Sequence, residues 1–322
     1  TGSMTLPQTA TQPTAKPARP PLLKRIRNSD VWWSFTQSRA AQISALVLGI
    51  LILAAIFAPL IAPQNPYDGA SLDMWKAELP PIWAADGEWP YLLGTDTQGR
   101  DMLSAILYGT RISIVIGIAS VVLSLVIGMA AGLVAGYFGG FIDNLLMRIG
   151  DITLSIPTIL VAILVSTVVR QMLPEYLREA GASAVLVLAI ALSAWVQYAR
   201  TVRAQAIVES GKDYVSAAKL IGVPARRIMM LHILPNTLTP IMVAATLNFG
   251  MAILTEATLS FLGIGMPPTQ PSLGTLIRIG NQFLFSGSWW IVLFPVIQLC
   301  LLVVTVNMLG DWLRDALNPK LR

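Results

Sequence analysis

The sequence predicts an all-α membrane protein that crosses the bilayer with six helices. Its composition is 55% hydrophobic and only 12% charged, and its mean hydropathy of +0.66 lies on the membrane side of ordinary globular proteins. Six uncharged runs are long enough to cross a bilayer, which takes about twenty residues. These runs cover residues 43–62, 112–138, 152–169, 182–199, 238–255 and 289–309.

The start of the chain has the composition of a disordered segment. Residues 1–3 resemble a cloning remnant, and residues 4–21 are rich in Pro, Thr, Ala and Gln, which cannot build a core. A basic segment at 24–27 precedes aromatic side chains at 32–35, a pattern typical of the membrane interface. We therefore assign residues 1–42 to a Pro-rich disordered tail followed by an interfacial segment.

The remaining boundaries follow from the uncharged runs. Residues 43–62 form the first transmembrane helix, residues 63–110 form a loop outside the membrane, and residues 111–322 form a core of five helices with a long loop at 200–235. The first run begins after some forty residues and is about twenty residues long, so we interpret it as a retained span and not as a cleaved signal peptide.

The distribution of basic residues orients the predicted spans. Six spans place both termini on one side, and that side carries sixteen Lys and Arg residues, whereas the other side carries six. By the positive-inside rule, the termini and the loop at 200–235 are cytoplasmic. The net charge of +5 comes from basic residues that are concentrated on one side of the membrane. We therefore expect membrane lipid and no nucleic acid as a partner.

Two backbone features within the spans concern helix packing and bending. Gly128, Gly132 and Gly136 recur at intervals of four residues in the second span, which predicts a strip of close contact between helices. Pro157 and Pro295 lie early in the third and last spans, where each can bend its helix.

The basic segment at residues 213–235 predicts a short helix between two spans. Asp213 can cap its first turn, Gly222 can take the left-handed conformation that ends it, and Pro224 suits the first turn of the next helix. The predicted helix covers residues 214–221.

One face of this predicted helix carries apolar and small side chains. Its members are Tyr214, Ala217, Ala218 and Ile221. The two central alanines let another surface approach closely, which suggests that a partner docks there. A connecting helix that packs on its own protein has the same periodicity, so both interpretations stay open.

A segment with two glycines and several charges precedes the second span and reads LGTDTQGRDMLS, residues 93–104. Its turn-forming and polar members are Gly94, Thr95, Asp96, Gly99, Arg100 and Asp101. The glycines permit turns, and the charged residues can pair on an exposed element. We favour structural ion pairing over contact with a substrate, because exposed ion pairs contribute little stability and little recognition.

Glu256 is an acidic residue near the outer end of the fifth span. An acid beside an apolar span is costly unless it is paired or hydrated, and it often marks a transport pathway. A pathway or gating role and a structural pairing role both fit this position. As a proton-coupling acid, Glu256 would make the protein a secondary transporter, which is the main alternative class.

The sequence offers few residues for catalysis or metal binding. His232 is the single histidine and Cys300 is the single cysteine, so a zinc site, a disulfide or a Ser-His-Asp triad has little to build on. The chain lacks the GxxxxGK[ST] phosphate loop and the HExxH and GxSxG motifs. We therefore expect a non-catalytic chain without a bound cofactor or metal, and we assign any ATP hydrolysis to another polypeptide.

Several motifs resemble those of binding-protein-dependent ABC importer permeases. Residues 93–104 are similar to the LGTDxxGRDxxS signature of the dipeptide, oligopeptide and nickel permease family, with Ala105 where that family often has arginine. Residues 216–235 resemble its cytoplasmic EAA loop, with Ser216 in place of the acid. Further similarity lies at 137–143, 232–236, 259–265 and 310–315. Over about residues 41–322 the chain resembles the second, C-type permease of such importers.

The resemblance implies a type I ABC importer permease fold in a bacterial inner membrane, together with a set of partners. These are a homologous second permease, two cytoplasmic ATPase subunits that carry ATP and Mg²⁺, and a periplasmic or lipid-anchored binding protein. The loop at 63–110 would be periplasmic, and the loop at 200–235 would be the coupling loop. Between Asp213 and Pro235 it would contain the coupling helix that fits a groove in an ATPase subunit. Peptides are the commonest cargo of the family, whereas nickel and glutathione importers share the motifs, so the cargo stays open.

Overall fold

A computed structural model describes residues 30–69 and 72–317, without the side chains of residues 30 and 239. The tail that we predict to be disordered, up to residue 29, and the last residues, 318–322, lie outside the described ranges. Within those ranges, the named elements of regular structure are helices, which confirms the all-α prediction.

The helices follow one another along the chain, mostly with short connections, and a long loop over residues 62–101, of which 70 and 71 are not described, precedes α4. The α-helices are α1 (Asp30–Gln37), α2 (Arg39–Ile56), α3 (Ala58–Ile61), α4 (Met102–Phe138), α5 (Gly140–Ser155), α6 (Thr158–Met172), α7 (Glu175–Arg178), α8 (Ala182–Ser210), α9 (Asp213–Leu220), α10 (Ala225–Ile228), α11 (Leu234–Phe261), α12 (Leu273–Gln282) and α13 (Trp290–Leu317). Met74–Lys76 and Leu284–Ser286 are 3-10 turns, and Met229–Ile233 is a π-helical segment between α10 and α11.

Five of these helices are long and apolar enough to cross a membrane. They are α2, α4, α8, the part of α11 over Pro240–Phe261, and α13. A sixth span results if α5 and α6, which meet at a bend of 99°, count as one broken helix. Counted in this way, the described chain agrees with the six predicted spans.

The third span is broken at Pro157, which corrects the prediction of one continuous run over residues 152–169. α5 ends at Ser155, and Ile156 is extended with φ −100° and ψ 133°. The proline ring clashes with the backbone of the residue before it and drives that residue out of the helical region. Proline also has no N–H group for the helical hydrogen-bond pattern. α13, by contrast, continues as one helix through Pro295.

α5 occupies residues that the sequence assigned in part to a loop, and ion pairs attach it to α8. Arg203 donates hydrogen bonds to both carboxylate oxygens of Asp143, and Arg200 Nη2 donates to Asp151 Oδ1 at 2.6 Å. Because the two aspartates pair with Arg200 and Arg203, these arginines can lie within α8, and the helix continues to Ser210. The predicted coupling loop at 200–235 is therefore shorter than expected.

α4 and α8 pack along the predicted glycine strip. A Cβ atom at Gly128 would lie 2.6 Å from the carbonyl oxygen of Trp195, and one at Gly132 would lie 2.5 Å from that of Ala199. Gly136 meets the backbone of α8 in the same way one turn later. Because real Cβ atoms do not approach so closely, glycine is what permits this contact, which confirms the predicted packing role.

α12 is a short helix that the hydropathy of the sequence does not indicate. Ser272 caps it, because its Oγ atom accepts a hydrogen bond from the Thr275 amide. Leu273 and Leu276 are buried in one core with Trp290, the first residue of α13. α12 therefore closes one end of the bundle.

The predicted interfacial aromatic residues form α1. Trp32 and Trp33 are exposed, whereas the ring of Phe35 packs edge-on against Trp312 of α13 with a centroid distance of 5.2 Å. α1 is therefore anchored to the end of the last helix, and its exposed tryptophans are suited to the membrane interface.

Candidate functional site

α9 is the short helix that the sequence predicts between the fourth and fifth spans. Lys212 is its N-cap residue, and Asp213 is the first helical residue without a side-chain capping bond, which corrects the predicted cap. Gly222 ends the helix with φ +78°, as predicted. The Val223 amide donates to the Ala218 carbonyl at 3.0 Å, and the Gly222 amide donates to Lys219 at 3.1 Å. This pattern satisfies carbonyl groups that the helix end leaves free.

Pro224 and Pro235 mark the two helices that follow. Pro224 is the N-cap residue of α10, one position before the first turn where we placed it. Pro235 lies in the first turn of α11, where its missing N–H group costs no helical hydrogen bond. Both prolines therefore begin helices instead of breaking them.

The predicted apolar face of α9 is divided between the protein interior and the surface. Val215 and Ala218 are buried, where they join a core that includes Ile228 and Ile233. Ala218 is therefore a packing residue and not part of a free docking face, which corrects the prediction. It faces inward because it lies one helical turn from Val215, the residue by which α9 rests on the bundle.

The outward side of α9 remains apolar at its C-terminal end. Ala217 is exposed, Leu220 is 88% exposed and Ile221 is 80% exposed. The sequence-based prediction included Ala217 and Ile221 but missed Leu220, because Leu220 lies outside the stripe defined by Tyr214 and Ala217. A projecting helix end with uncovered apolar side chains is suited to contact with another protein.

The carboxylate of Glu209, at the end of α8, connects α9 to two long helices. It accepts hydrogen bonds from the hydroxyl of Tyr214 at 2.6 Å, from Lys212 Nζ at 2.6 Å and from Asn236 Nδ2 at 3.3 Å. The hydrogen bond that Tyr214 donates to Glu209 raises the pKa of the Tyr214 hydroxyl. The sequence-based prediction missed Glu209 because it lies just before the basic segment.

The single histidine supports the same connection through its backbone. The His232 carbonyl accepts from Asn236 Nδ2 at 3.0 Å and from the Tyr214 hydroxyl at 3.3 Å. The His232 ring stacks on the Tyr214 ring with a centroid distance of 6.3 Å. Among the described residues, no group of three or more His, Cys, Asp or Glu side chains could hold a metal ion.

The segment 93–104 forms a compact turn before α4. Gly94 and Gly99 have φ values of +80° and +73°, which confirms the predicted turns. Asp96 Oδ1 closes the turn by accepting from the amides of Gln98 at 2.8 Å and Arg100 at 2.9 Å. Left-handed glycines and a carboxylate that binds backbone amides are typical of a rigid loop.

The charged residues of this segment are buried, which corrects the prediction of an exposed element. Asp96 and Asp101 have no exposed surface, and Arg100 is only 2% exposed. The loop after α11 covers the arginine, since Arg100 Nη2 donates to the Pro268 carbonyl at 2.8 Å, and Gln64 Oε1 accepts from the Asp101 amide at 2.8 Å. Arg100 Nε lies 3.7 Å from Asp96 Oδ2, which supports the predicted structural pairing.

Asp101 and Thr95 extend these connections to α4, the outer loop and α13. Asp101 Oδ2 accepts from the amide and the hydroxyl of Ser104 at 2.8 and 2.6 Å, which caps α4. Thr95 Oγ1 donates to the Lys76 carbonyl at 2.5 Å, and the Thr95 carbonyl accepts from Trp290 Nε1 at 3.1 Å. The segment is therefore a structural joint between four parts of the chain.

Burial governs the ionisation of the two aspartates in this joint. It raises the pKa of Asp96, although Arg100 and the backbone amides offset part of the effect. Burial also raises the pKa of Asp101, and the hydrogen bonds from Ser104 offset part of that shift.

Glu256 lies in a buried polar cluster between α4, α11 and α12. Ser113 Oγ donates to Glu256 Oε2 at 2.7 Å, and Ser260 Oγ donates to Oε1 at 2.7 Å. Ser260 Oγ in turn accepts from the Met266 amide at 3.2 Å. Glu256 is completely buried. Of the two roles that we left open, structural pairing and gating, this geometry favours structural pairing.

A cavity of about 350 Å³ lies between α4, the start of α6, α8 and α11. Half of its lining residues are polar and uncharged, namely Ser124, Thr158, Ser193, Gln197, Tyr198, Asn248, Thr255 and Thr258. The other half are apolar. Thr255 and Thr258 face this cavity, whereas Glu256 between them faces the buried cluster. The lining of this cavity can offer hydrogen bonds to a polar solute, and among the described residues it contains no charged side chain that would hold an ion.

Two family models match the chain. The first is described as "Binding-protein-dependent transport system inner membrane component" and matches residues 125–322. The second is described as "N-terminal TM domain of oligopeptide transport permease C" and matches residues 28–81.

Curated relatives match over most of their length. The chain is 42% identical over 295 residues to "Dipeptide transport system permease protein DppC" of Escherichia coli (strain K12), covering 91% of this chain and 93% of the relative. It is 40% identical over 293 residues to a protein of the same name from Haemophilus influenzae, covering 91% and 95%. It is 36% identical over 295 residues to "Di/tripeptide transport system permease protein DppC" of Pseudomonas aeruginosa, covering 91% and 92%. The chain therefore belongs to the family of binding-protein-dependent ABC importer permeases.

Proposed function

We propose that this chain is one of two permease subunits of an ATP-driven importer of di- or oligopeptides in a bacterial inner membrane, with both termini cytoplasmic. It provides half of the translocation path and does not hydrolyse ATP itself. Its partners are a second permease, two ATPase subunits that bind ATP and Mg²⁺, and an extracytoplasmic binding protein that delivers the peptide.

The observation that carries this proposal is the combination of an uncovered apolar end on α9 with a rigid attachment of α9 to the bundle. Leu220 and Ile221 project from the surface, while the Glu209 carboxylate joins α9 to α8 and α11. An ATPase subunit that grips the apolar end can therefore move two path-lining helices together.

The cavity between α4, α6, α8 and α11 supports a peptide as cargo. A peptide presents amide and carbonyl groups that hydrogen-bond to hydroxyl and carboxamide side chains such as Thr158, Gln197 and Asn248. A nickel ion would instead need a set of nitrogen, sulfur or charged oxygen ligands along its path. The names of the relatives point to the same cargo.

The buried position of Glu256 argues against the proton-coupled alternative. A proton-coupling acid must exchange its proton with water on each side of the membrane in turn. Glu256 has no exposed surface and is held by Ser113 and Ser260. We therefore assign the driving force to ATP hydrolysis by the partner subunits.

The proposal can be tested with the Ala217→Trp variant in the complete importer. Ala217 is exposed on α9, so a tryptophan there leaves the fold intact but holds the helix away from its partner. We expect loss of the ATPase subunits on purification, or loss of ATP-dependent dipeptide uptake in proteoliposomes.

Ala180→Trp is the matched control, because Ala180 is also exposed but lies in the turn that precedes α8, at the end of that helix away from α9. This variant should assemble and transport as the unchanged protein does. If Ala217→Trp leaves both assembly and ATP-dependent uptake unchanged, α9 is not the coupling helix. If the unchanged complex imports no peptide, the cargo assignment is wrong.

A further inference from the structure

A second cavity, of about 310 Å³, lies at the end of α6 away from the coupling helix. Its lining consists of Thr167, Arg170, Gln171, Arg178, Gly263 and Ile264. Two of these side chains are guanidinium groups, and two more can donate a hydrogen bond. The predicted topology places this end of α6 on the outer face of the membrane.

A third arginine stands at the edge of this cavity. Arg278 of α12 has its Nη1 atom 3.9 Å from the position that a Cβ atom would take at Gly263. Because Gly263 has no side chain and a φ of +82°, the loop after α11 leaves open the space between Arg278 and the cavity.

The guanidinium groups around this cavity are not fully used by the protein. Arg170 Nη2 donates to the Gly265 carbonyl, and Arg178 Nε donates to the Leu173 carbonyl at 3.4 Å. The Nε atoms of Arg170 and Arg278 are buried without a hydrogen-bond partner in the described structure. A buried donor without a partner is costly, which points to a ligand that supplies the missing acceptor.

The charge of the three arginines is also unbalanced. In the part of the chain that the structure describes, the ion pairs involve neither Arg170, Arg178 nor Arg278. The nearest acids in sequence, Glu175 and Glu179, are exposed. The cavity therefore favours an anion, and guanidinium groups bind carboxylates well because their N–H donors match two carboxylate oxygens.

The position of the cavity relates it to the path-lining cavity described above. α6 begins at Thr158, which lines the path, and reaches Arg170 about 18 Å further along its axis. α11 lines the path with Thr258 and ends just before Gly263. A solute that enters between α6 and α11 from the outer side therefore passes the arginines before it reaches the uncharged lining.

We propose that this cavity binds the terminal carboxylate of the peptide as it enters the path. The inference rests on the proposed import of peptides. Arg170 and Arg178 hold the carboxylate, Arg278 adds positive charge, and Thr167 and Gln171 donate further hydrogen bonds. Because the path beyond is uncharged, this site orients the peptide at the entrance and does not retain it within the membrane.

The test compares a dipeptide with its C-terminal amide in proteoliposomes that contain the complete importer. Arg178→Gln is the first variant, because Arg178 is exposed and makes one long hydrogen bond, so its loss leaves the fold intact. We expect the KM for the dipeptide to rise roughly tenfold, as the loss of a hydrogen bond between charged groups predicts. The KM for the amide should stay within about twofold of that of the unchanged importer.

Arg170→Gln is the second variant, and Arg111→Gln is the matched control. Arg111 is an exposed arginine on the same predicted side, but it lines a different cavity, so its loss should affect neither substrate. The proposal is overturned if the Arg178 and Arg170 variants leave the KM for the dipeptide unchanged, or if they weaken uptake of dipeptide and amide by the same factor.

A measurement of the importer's affinity for its binding protein distinguishes two roles of these arginines: binding the peptide carboxylate and docking the binding protein. If Arg178→Gln weakens binding of the ligand-free binding protein in parallel with uptake, the arginines hold that protein and the carboxylate site is refuted. Failure of the unchanged importer to take up any peptide is a different result, since it refutes the proposed function itself.

Discussion

The hydroxyl of Tyr214 on α9 donates a hydrogen bond of 2.6 Å to the carboxylate of Glu209 at the end of α8. Asn236, in the first turn of α11, donates to the same carboxylate at 3.3 Å. One side chain therefore connects α9 to two helices that line the cavity of about 350 Å³. Displacement of α9 cannot occur without a displacement of α8, of α11, or a break in these bonds.

Glu209→Gln tests this connection because it removes the negative charge and keeps the size of the side chain. Hydrogen bonds to a charged acceptor are about twice as strong as neutral ones, so we expect peptide uptake to fall roughly tenfold. ATP hydrolysis should continue without stimulation by substrate, and all subunits should remain in the purified complex.

Tyr214→Phe should reproduce this effect in part, because it removes one of the donors to Glu209. Glu175→Gln, at an exposed acid of α7, is the control and should leave uptake unchanged. Loss of the ATPase subunits from the Glu209 variant would show instead that Glu209 serves assembly.

Gly132→Leu tests the close packing of α4 and α8. A Cβ atom at this position would lie 2.5 Å from the Ala199 carbonyl oxygen, so the two backbones must separate. We expect a stability loss of about 3 kcal/mol or more, measured as a strong decrease in folded protein after extraction into detergent. Gly49→Leu in α2 is the matched control, since a Cβ atom at Gly49 meets no atom within 4 Å and folding should persist.

Glu256→Gln distinguishes a structural carboxylate from a proton carrier. Glutamine can still accept from Ser113 and can donate to Ser260, so transport should remain within about twofold of that of the unchanged importer. Glu256→Leu should lower the yield of folded protein, because it leaves two buried hydroxyls without a partner at a cost of about 1–3 kcal/mol each. Complete loss of uptake in a well-folded Gln variant would contradict the structural role.

Asp101→Asn tests the effect of burial on the cap of α4. Burial raises the pKa of Asp101 above its usual value of 3.8, so the folded state binds the proton more tightly than the unfolded state does. The stability that comes from this tighter proton binding is fully present below the pKa of Asp101 in the unfolded state. It is lost as the pH rises through the pKa of Asp101 in the folded state. The Asn variant cannot lose this contribution and keeps an oxygen acceptor for the Ser104 amide.

The melting temperature of the Asn variant, relative to that of the unchanged protein, should therefore increase between about pH 4 and about pH 8. Thermal unfolding of the purified protein in detergent measures this difference. Asp96 is present in both proteins, so its titration affects both melting temperatures equally and cancels in their difference. A difference that stays constant or decreases with pH would show that Asp101 does not titrate in this way.

Local features of the fold could be predicted from the sequence. Uncharged runs of about twenty residues locate the spans because the bilayer thickness sets their length. The spacing of Gly128, Gly132 and Gly136 predicts a close contact between helices, which α8 makes, and Gly222 predicts the end of α9. Both predictions depend on backbone geometry near single residues.

Features that depend on distant segments could not be predicted. Arg100 is buried because the loop at Pro268 folds over it, and Glu256 is satisfied by Ser113 from another helix. Neither partner is near in sequence. The inward position of Ala218 likewise depends on where the core formed by Val215 and Ile233 lies, which helical periodicity alone does not tell.

The π-helical segment Met229–Ile233 gives the backbone between α10 and α11 a soft joint. A π-turn is wider and less stable than an α-turn, because it holds one extra residue. Two further links cross this joint. The side chains of Tyr214 and Asn236 meet at the Glu209 carboxylate, and Val215 and Ala218 pack with Ile228 and Ile233. A push on α9 can therefore reach α11 through the side chains and the core even where the connecting backbone yields.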